Sequence, residues 1–226
     1  MKKLGIIGGL GPMATAYFMQ LITEMTDAKT DQEHIEIFVH SIPGIPDRTK
    51  YILGESKESP LPFLLEAGRG LIDQGAEVLS IPCITAHYFE NDLKSLPVPC
   101  IDSLVETGQY LSTSSIGKVG IMATDGTIKS RLFDDALSRF GIECILPGAE
   151  GQKKVMHLIY ENVKAGKPAD MPLFFEVKEE LLDKGAEIVI LGCTELSVIK
   201  RDNDVGEKVL DVLDVLAKAS VKACKR

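Results

Sequence analysis

Gly75-Ala76-Glu77-Val78-Leu79-Ser80-Ile81-Pro82-Cys83-Ile84-Thr85 returns further along the chain as Gly185-Ala186-Glu187-Ile188-Val189-Ile190-Leu191-Gly192-Cys193-Thr194. In both stretches a glycine stands eight positions before a cysteine, and an apolar run leads into that cysteine. Nearer each beginning, Lys3-Leu4-Gly5-Ile6 leads to Gly11 as Lys118-Val119-Gly120-Ile121 leads to Gly126. The chain therefore reads as an internal duplication of two halves of about 100 residues, an ordinary domain size. Each half carries one cysteine where a strand should end.

Outward from these stretches, apolar runs suited to buried strands alternate with segments of helical spacing, the signature of βα units on a mostly parallel sheet. Strands are expected at 4–7, 35–39, 78–81, 119–122, 142–145 and 188–191. Gly8-Gly9-Leu10-Gly11-Pro12 should end the first strand and open a helix reaching about Met25, with Pro12 in the first turn where its missing N–H does no harm. The expected fold class is α/β: two similar parallel-sheet domains, three-layer sandwiches related by a pseudo-two-fold axis, with the active site in the cleft between them. The first domain should take residues 1–102 plus 209–226, through a C-terminal helix at roughly 211–223, and the second residues 103–208.

Of the 226 residues, 45% are hydrophobic and 26% charged, enough apolar material for a core. No apolar stretch approaches the ~20 residues of a membrane helix, and no signal-peptide cleavage region follows the N-terminus, so a cytoplasmic protein is expected. A formal net charge of −8 argues against nucleic acid or an anionic membrane as partner, yet leaves room for a small anionic ligand held by a few local cations or helix N-termini. The five cysteines, at 83, 100, 144, 193 and 224, are odd in number and sparse, so free thiols are expected. Cys83 and His87 are four apart, but there is no ligand set of zinc-like spacing, and no metal is expected.

In both quoted stretches the strand runs into a cysteine and then a threonine placed to cap a following helix. A thiol at a helix N-terminus should have its pKa lowered toward neutrality by the partial positive charge there. An isolated cysteine is more often simple core, which is the reading for Cys100, Cys144 and Cys224. The repeat singles out Cys83 and Cys193 as a pair facing one substrate. One thiolate can remove a proton from a carbon while the opposite thiol delivers one to its other face, inverting the stereocentre without a cofactor. The carbanion formed next to a carboxylate needs hydrogen-bond donors, which Thr85, Thr124, Thr194 and the Gly8–Gly11 loop can supply. His87 and Glu195 follow the cysteines closely enough to tune them, although His87 reads better as a structural hydrogen-bonder. The glycines at 5, 8, 9 and 11 do not make GxGxxG, so no dinucleotide site is expected.

Five segments together resemble the aspartate racemase branch of the aspartate/glutamate/hydantoin racemase superfamily, over essentially the whole chain. They are Gly8-Gly9-Leu10-Gly11-Pro12 with Ala14-Thr15, Pro46-Asp47-Arg48-Thr49, Pro82-Cys83-Ile84-Thr85-Ala86-His87, Met122-Ala123-Thr124-Asp125-Gly126-Thr127, and Gly192-Cys193-Thr194-Glu195. The resemblance implies PLP-independent racemisation, with L- and D-aspartate (or glutamate) as the small anionic substrate, and a homodimer. It implies that Cys83 serves the D-enantiomer and Cys193 the L-enantiomer. Arg48 and Lys164 match positions implied to hold the side-chain carboxylate, and the implied substrate shell also takes in Gly11, Met13, Ile84, Thr85, Thr124, Thr127 and Thr194. From the residues alone, Arg48 is either a stiffly held bidentate fork or a surface arginine, and Lys164, before Gly166, a dipole partner at a helix C-terminus. One position departs: Ile84 stands where the family carries asparagine. That keeps two other readings open, a related reaction on a small dicarboxylate such as maleate and a catalytically inactive small-acid binder.

Overall fold

The computed structural model describes residues 1–225 and divides into two compact units. The first is Met1–Ser103 with the segment from Leu213 onward, and the second is Leu104–Val212.

In the first unit, β1 (Leu4–Gly8), α1 (Pro12–Met25), β2 (Ile37–Ser41), α2 (Arg48–Leu53), α3 (Leu61–Asp73), β3 (Val78–Ser80) and α4 (Glu90–Leu93) follow one another, with a 3-10 turn at Ile84–Phe89. The sheet is parallel in the order β2-β1-β3. Every residue of β1 is buried, as expected of a parallel strand covered on both faces. Its side chains alternate. Leu4 and Ile6 join Phe18 and Ile22 of α1 and Leu213, Leu216 and Ala217 of the C-terminal helix, whereas Ile7 joins Leu64, Ala67 and Leu71 of α3.

The second unit contains most of α5 (Ser103–Ser112), then β4 (Lys118–Met122), α6 (Asp125–Lys129), α7 (Leu132–Leu137), β5 (Glu143–Ile145), α8 (Ala149–His157), α9 (Met171–Asp183), β6 (Ile188–Leu191), α10 (Thr194–Asp202) and β7 (Val209–Asp211). The next helix, α11 (Val212–Cys224), is the C-terminal helix of the first unit. The parallel order here is β5-β4-β6-β7. Met122, Val189 and Leu191 pack with Val155 and Leu158 and with Phe174, Val177 and Leu181 of α9. Strand β7, three residues long, was not expected, and β2 begins two residues later than its apolar run suggested.

The repeated Gly-Ala-Glu has a physical explanation, identical in each unit. Gly75 and Gly185 take φ of +107° and +98°, the left-handed backbone that glycine adopts without strain as a helix ends. Ala76 and Ala186 lie against the strand glycines. A Cβ on Gly5 would come within 2.9 Å of Ala76 Cβ and 3.2 Å of Leu71 Cβ, and one on Gly120 within 2.8 Å of Leu181 Cβ and 3.3 Å of Ala186 Cβ. Glu77 accepts the Lys3 backbone N–H at 3.0 Å, and Glu187 accepts that of Lys118 at 2.9 Å, fixing the start of each central strand. The duplication is thus one of contacts as well as letters. Among the described residues no helix is long and apolar enough to cross a membrane.

Candidate active site

Each unit delivers its cysteine from the end of a strand. After β3, Pro82 bends the chain so that the Cys83 N–H donates to the Ile81 carbonyl at 2.8 Å. After β6, the Gly192 N–H donates to the Met122 carbonyl at 2.8 Å; a Cβ there would lie 2.6 Å from the Phe133 ring, so glycine is needed. Both cysteines are extended, both occupy the N-cap position, and both are 6% exposed. This corrects the expectation that the threonines cap: no side-chain capping bond forms at either end, and Thr85 and Thr194 are buried inside the first turn. Ile84 is buried too, and the helix after Cys83 opens as 3-10 rather than α.

In the second unit the thiol meets a carboxylate. Cys193 Sγ donates to Glu195 Oε2 at 2.9 Å, and Glu195 Oε1 lies 2.8 Å from Lys164 Nζ. That ammonium also sits 5.5 Å from the Tyr160 ring centre. Burial, and after it the Glu195 charge, holds the Cys193 pKa well above 9.0; the Lys164 charge and the Glu195 N–H pull the other way. The helix-terminus effect expected from the sequence is present as that N–H but is outweighed, so Cys193 rests as a protonated thiol. Gly166 does end the helix, with φ of +70°, but the turn before it is a π-helix at Leu158–Val163, where the Lys164 N–H reaches five residues back to the Ile159 carbonyl at 3.0 Å. Nothing in the apolar spacing announced that wide turn.

Arg48 opens α2, behind Asp47, whose side chain caps it by accepting the Lys50 N–H at 3.0 Å. The arginine is 7% exposed and not a surface residue. Its Nη1 donates to the Ile45 and Pro46 carbonyls at 3.2 and 2.9 Å, and its Nη2 to the Leu10 carbonyl at 3.0 Å, tying the loop after β1 to the loop before α2. The first of these loops is also held by Thr15, which accepts the Gly9 N–H at 2.9 Å and donates to the Gly11 carbonyl at 3.0 Å. Met13, at the start of α1, is 56% exposed. His87 is buried, and its imidazole bonds to the Ile81 carbonyl that also accepts the Cys83 N–H. Burial keeps its pKa below 6.5 despite Asp102 and Glu90, which fits the structural role read from the sequence.

In the loop after β4, Thr124 caps α6 by accepting the Thr127 N–H at 3.3 Å, with the two hydroxyls 3.1 Å apart and both residues buried. Gln152 braces that loop, donating to the Ala123 carbonyl at 3.0 Å and to Asp125 Oδ1 at 2.7 Å. A lone glutamine on a helix carries no sequence signal, and Gln152 was missed. All five cysteines are free. Among the described residues no group of three or more His, Cys, Asp or Glu could hold a metal ion.

Two parallel α/β units each end a strand in a buried N-capping cysteine with a buried threonine close behind, and the family match and the named relatives make the chain an enzyme of the racemase class. The chain belongs to the Asp/Glu/hydantoin racemase family, which it matches over residues 7–220. It is similar to the aspartate racemase of Picrophilus torridus, at TM-score 0.82 and 28% identity over 100% of this chain and 95% of that one. The glutamate racemase of Francisella tularensis, solved with D-glutamate, shares the fold at TM-score 0.72 and 19% identity, over 98% of this chain and 80% of its own. A broad specificity amino-acid racemase of Bacillus subtilis is 22% identical over 96% of both chains.

Proposed function

We propose that this chain interconverts the L- and D-forms of a small amino acid, aspartate first and glutamate next, with Cys83 and Cys193 as acid and base on opposite faces of one α-carbon. The observation that carries the reading is the matched placement of the two thiols, each buried at the N-cap that follows the corresponding strand of its unit. Cys193, protonated at rest, donates to the carbanion when Cys83 has taken the α-proton, and the roles exchange in the other direction. Hydroxyls of Thr85, Thr124, Thr127 and Thr194 and the loop at Gly11 stabilise the developing enediolate. Met13 and Ile84 line the apolar side of the site, and Arg48 faces the side-chain carboxylate. No cofactor enters the scheme. The enzyme acts as a cytoplasmic homodimer. Incubating the protein with L-aspartate in D2O without PLP tests the proposal: deuterium at the α-carbon together with D-aspartate supports it. Turnover of maleate alone would move the chain to another reaction, and binding without exchange would make it an inactive binder.

A further inference from the structure

The duplication runs past the cysteines to a second matched pair. Asp211 ends β7 in parallel register beside Leu191, two residues before Cys193. In the first unit Leu79 bridges Cys100 in parallel, and that register carried on by two residues sets Asp102 beside Ile81, two residues before Cys83. The backbone bonds agree: the Leu79 N–H donates to the Pro99 carbonyl and the Val189 N–H to the Lys208 carbonyl, each at 2.8 Å. A single residue follows each aspartate before the chain passes to the other unit, Ser103 on the way out and Val212 on the way back.

What each aspartate meets is the turn behind the cysteine. Ser197, one turn beyond Cys193, donates from Oγ to Asp211 Oδ1 at 2.7 Å, and Lys200, a turn further on, brings Nζ to 3.5 Å from Oδ2. Ser197 and Asp211 are 0% and 1% exposed. His87 and Glu90 hold the corresponding places after Cys83, and the charge of Asp102 acts on the buried His87 ring, which bonds the Ile81 carbonyl. A buried carboxylate is a costly way to hold a fold together, since a well-packed apolar pair does as well or better. Its hydrogen bond is directional, however, and residues four apart share a helix face, so a bond at Ser197 fixes how the turn that starts at Cys193 is rotated.

We propose that Asp211 and Ser197 are positioning residues for Cys193, with Asp102 and His87 as their counterparts for Cys83, each aspartate locking the turn behind its cysteine to the segment through which the chain leaves the unit. The inference rests on the racemase reading and deepens it, because a thiol that must meet one face of an α-carbon tolerates little error in aim. The two halves use one device with different chemistry, a hydroxyl in the second and an imidazole in the first.

Iodoacetamide alkylation of Cys83 and Cys193, followed in one sample by mass spectrometry of the two peptides, tests the anchoring. Ser197→Ala removes a single oxygen and should speed alkylation of Cys193 by about threefold or more while Cys83 keeps its rate; His87→Phe should do the reverse. Ser197→Thr, which restores the hydroxyl, should match wild type. Combining Ser197→Ala with Asp211→Asn should add nothing to the larger single effect, and fully additive effects would show that the two side chains act apart. Unchanged rates, or equal acceleration of both thiols as in a general loosening, overturn the proposal. With L-aspartate, Ser197→Ala should lower kcat by about tenfold and keep KM within about twofold. A kcat within about twofold of wild type overturns the positioning role. If the wild-type protein exchanges no amino acid at all, the racemase reading fails, while the two alkylation rates still decide the anchoring.

Discussion

Replacing Arg48 by alanine tests whether this arginine anchors the loops that it bridges. The guanidinium makes three hydrogen bonds, to the carbonyls of Ile45, Pro46 and Leu10 at 2.9 to 3.2 Å, from a side chain 7% exposed. Hydrogen bonds to a charged group contribute roughly 1.5–3 kcal/mol each, and carbonyls left buried and unmatched carry a further desolvation penalty. Three such bonds set an upper figure of roughly 4.5–9 kcal/mol, which water entering the vacated space cuts by about half, giving a loss of about 2–4.5 kcal/mol. Urea unfolding followed by circular dichroism should therefore show a midpoint lowered by about 1 M or more, for a slope near 2 kcal/mol/M. Lysine at 48 brings one ammonium to a place that needs a planar fork spanning three carbonyls and should recover less than half of the loss. A stability change under about 1 kcal/mol in Arg48→Ala would refute the anchor, because the three bonds then contribute nothing beyond what water supplies.

Other consequences follow from the packing and the titrations. Gly120→Ala pushes a methyl to 2.8 Å from Leu181 Cβ, and Gly5→Ala to 2.9 Å from Ala76 Cβ, so each should cost about 1–3 kcal/mol in thermal or urea unfolding; free tolerance of either would break the account of the repeat. His87 has a lowered folded-state pKa, so the unfolded chain takes up its proton first. The stability it supports is intact above about 6.5 and lost as pH falls toward the native value; His87→Gln should flatten that part of the acid limb, and an unchanged limb would show that the ring stays neutral for another reason. Because Cys193 is held well above 9.0, kcat/KM for the enantiomer whose α-proton it removes should climb by about one log unit per pH unit up to pH 9, and a plateau near 7 would contradict the protonated resting state.

What could be read from the letters was whatever a local pattern forces. Strands β1, β4 and β6 emerged within a residue because a strand buried on both faces writes a continuous apolar run, and α1 emerged because Pro12 and the glycines before it punctuate its start. Strand β7 is too short for such a run, and its neighbour Lys208 has φ of +59°, which lysine does not advertise. At the site, the duplicated stretch picked out Cys83 and Cys193, since their place after the strand is a local matter. Their environment is not local. Whether a helix N-terminus lowers a thiol or burial beside a carboxylate raises it depends on Glu195 being turned inward and on a lysine thirty-odd positions earlier arriving through a π-turn. The burial of Arg48 likewise depends on carbonyls of two loops distant in sequence. Gln152 needs a partner loop to acquire meaning at all.

Everything chemical rests on two thiols acting on one carbon, and chiral chromatography of Cys83→Ser and Cys193→Ser, each started from either pure enantiomer in D2O, addresses that directly. The account expects neither variant to interconvert the enantiomers, with any surviving deuterium uptake confined to the one enantiomer whose proton the remaining cysteine can reach. Two-way interconversion at the wild-type rate in either variant would contradict it.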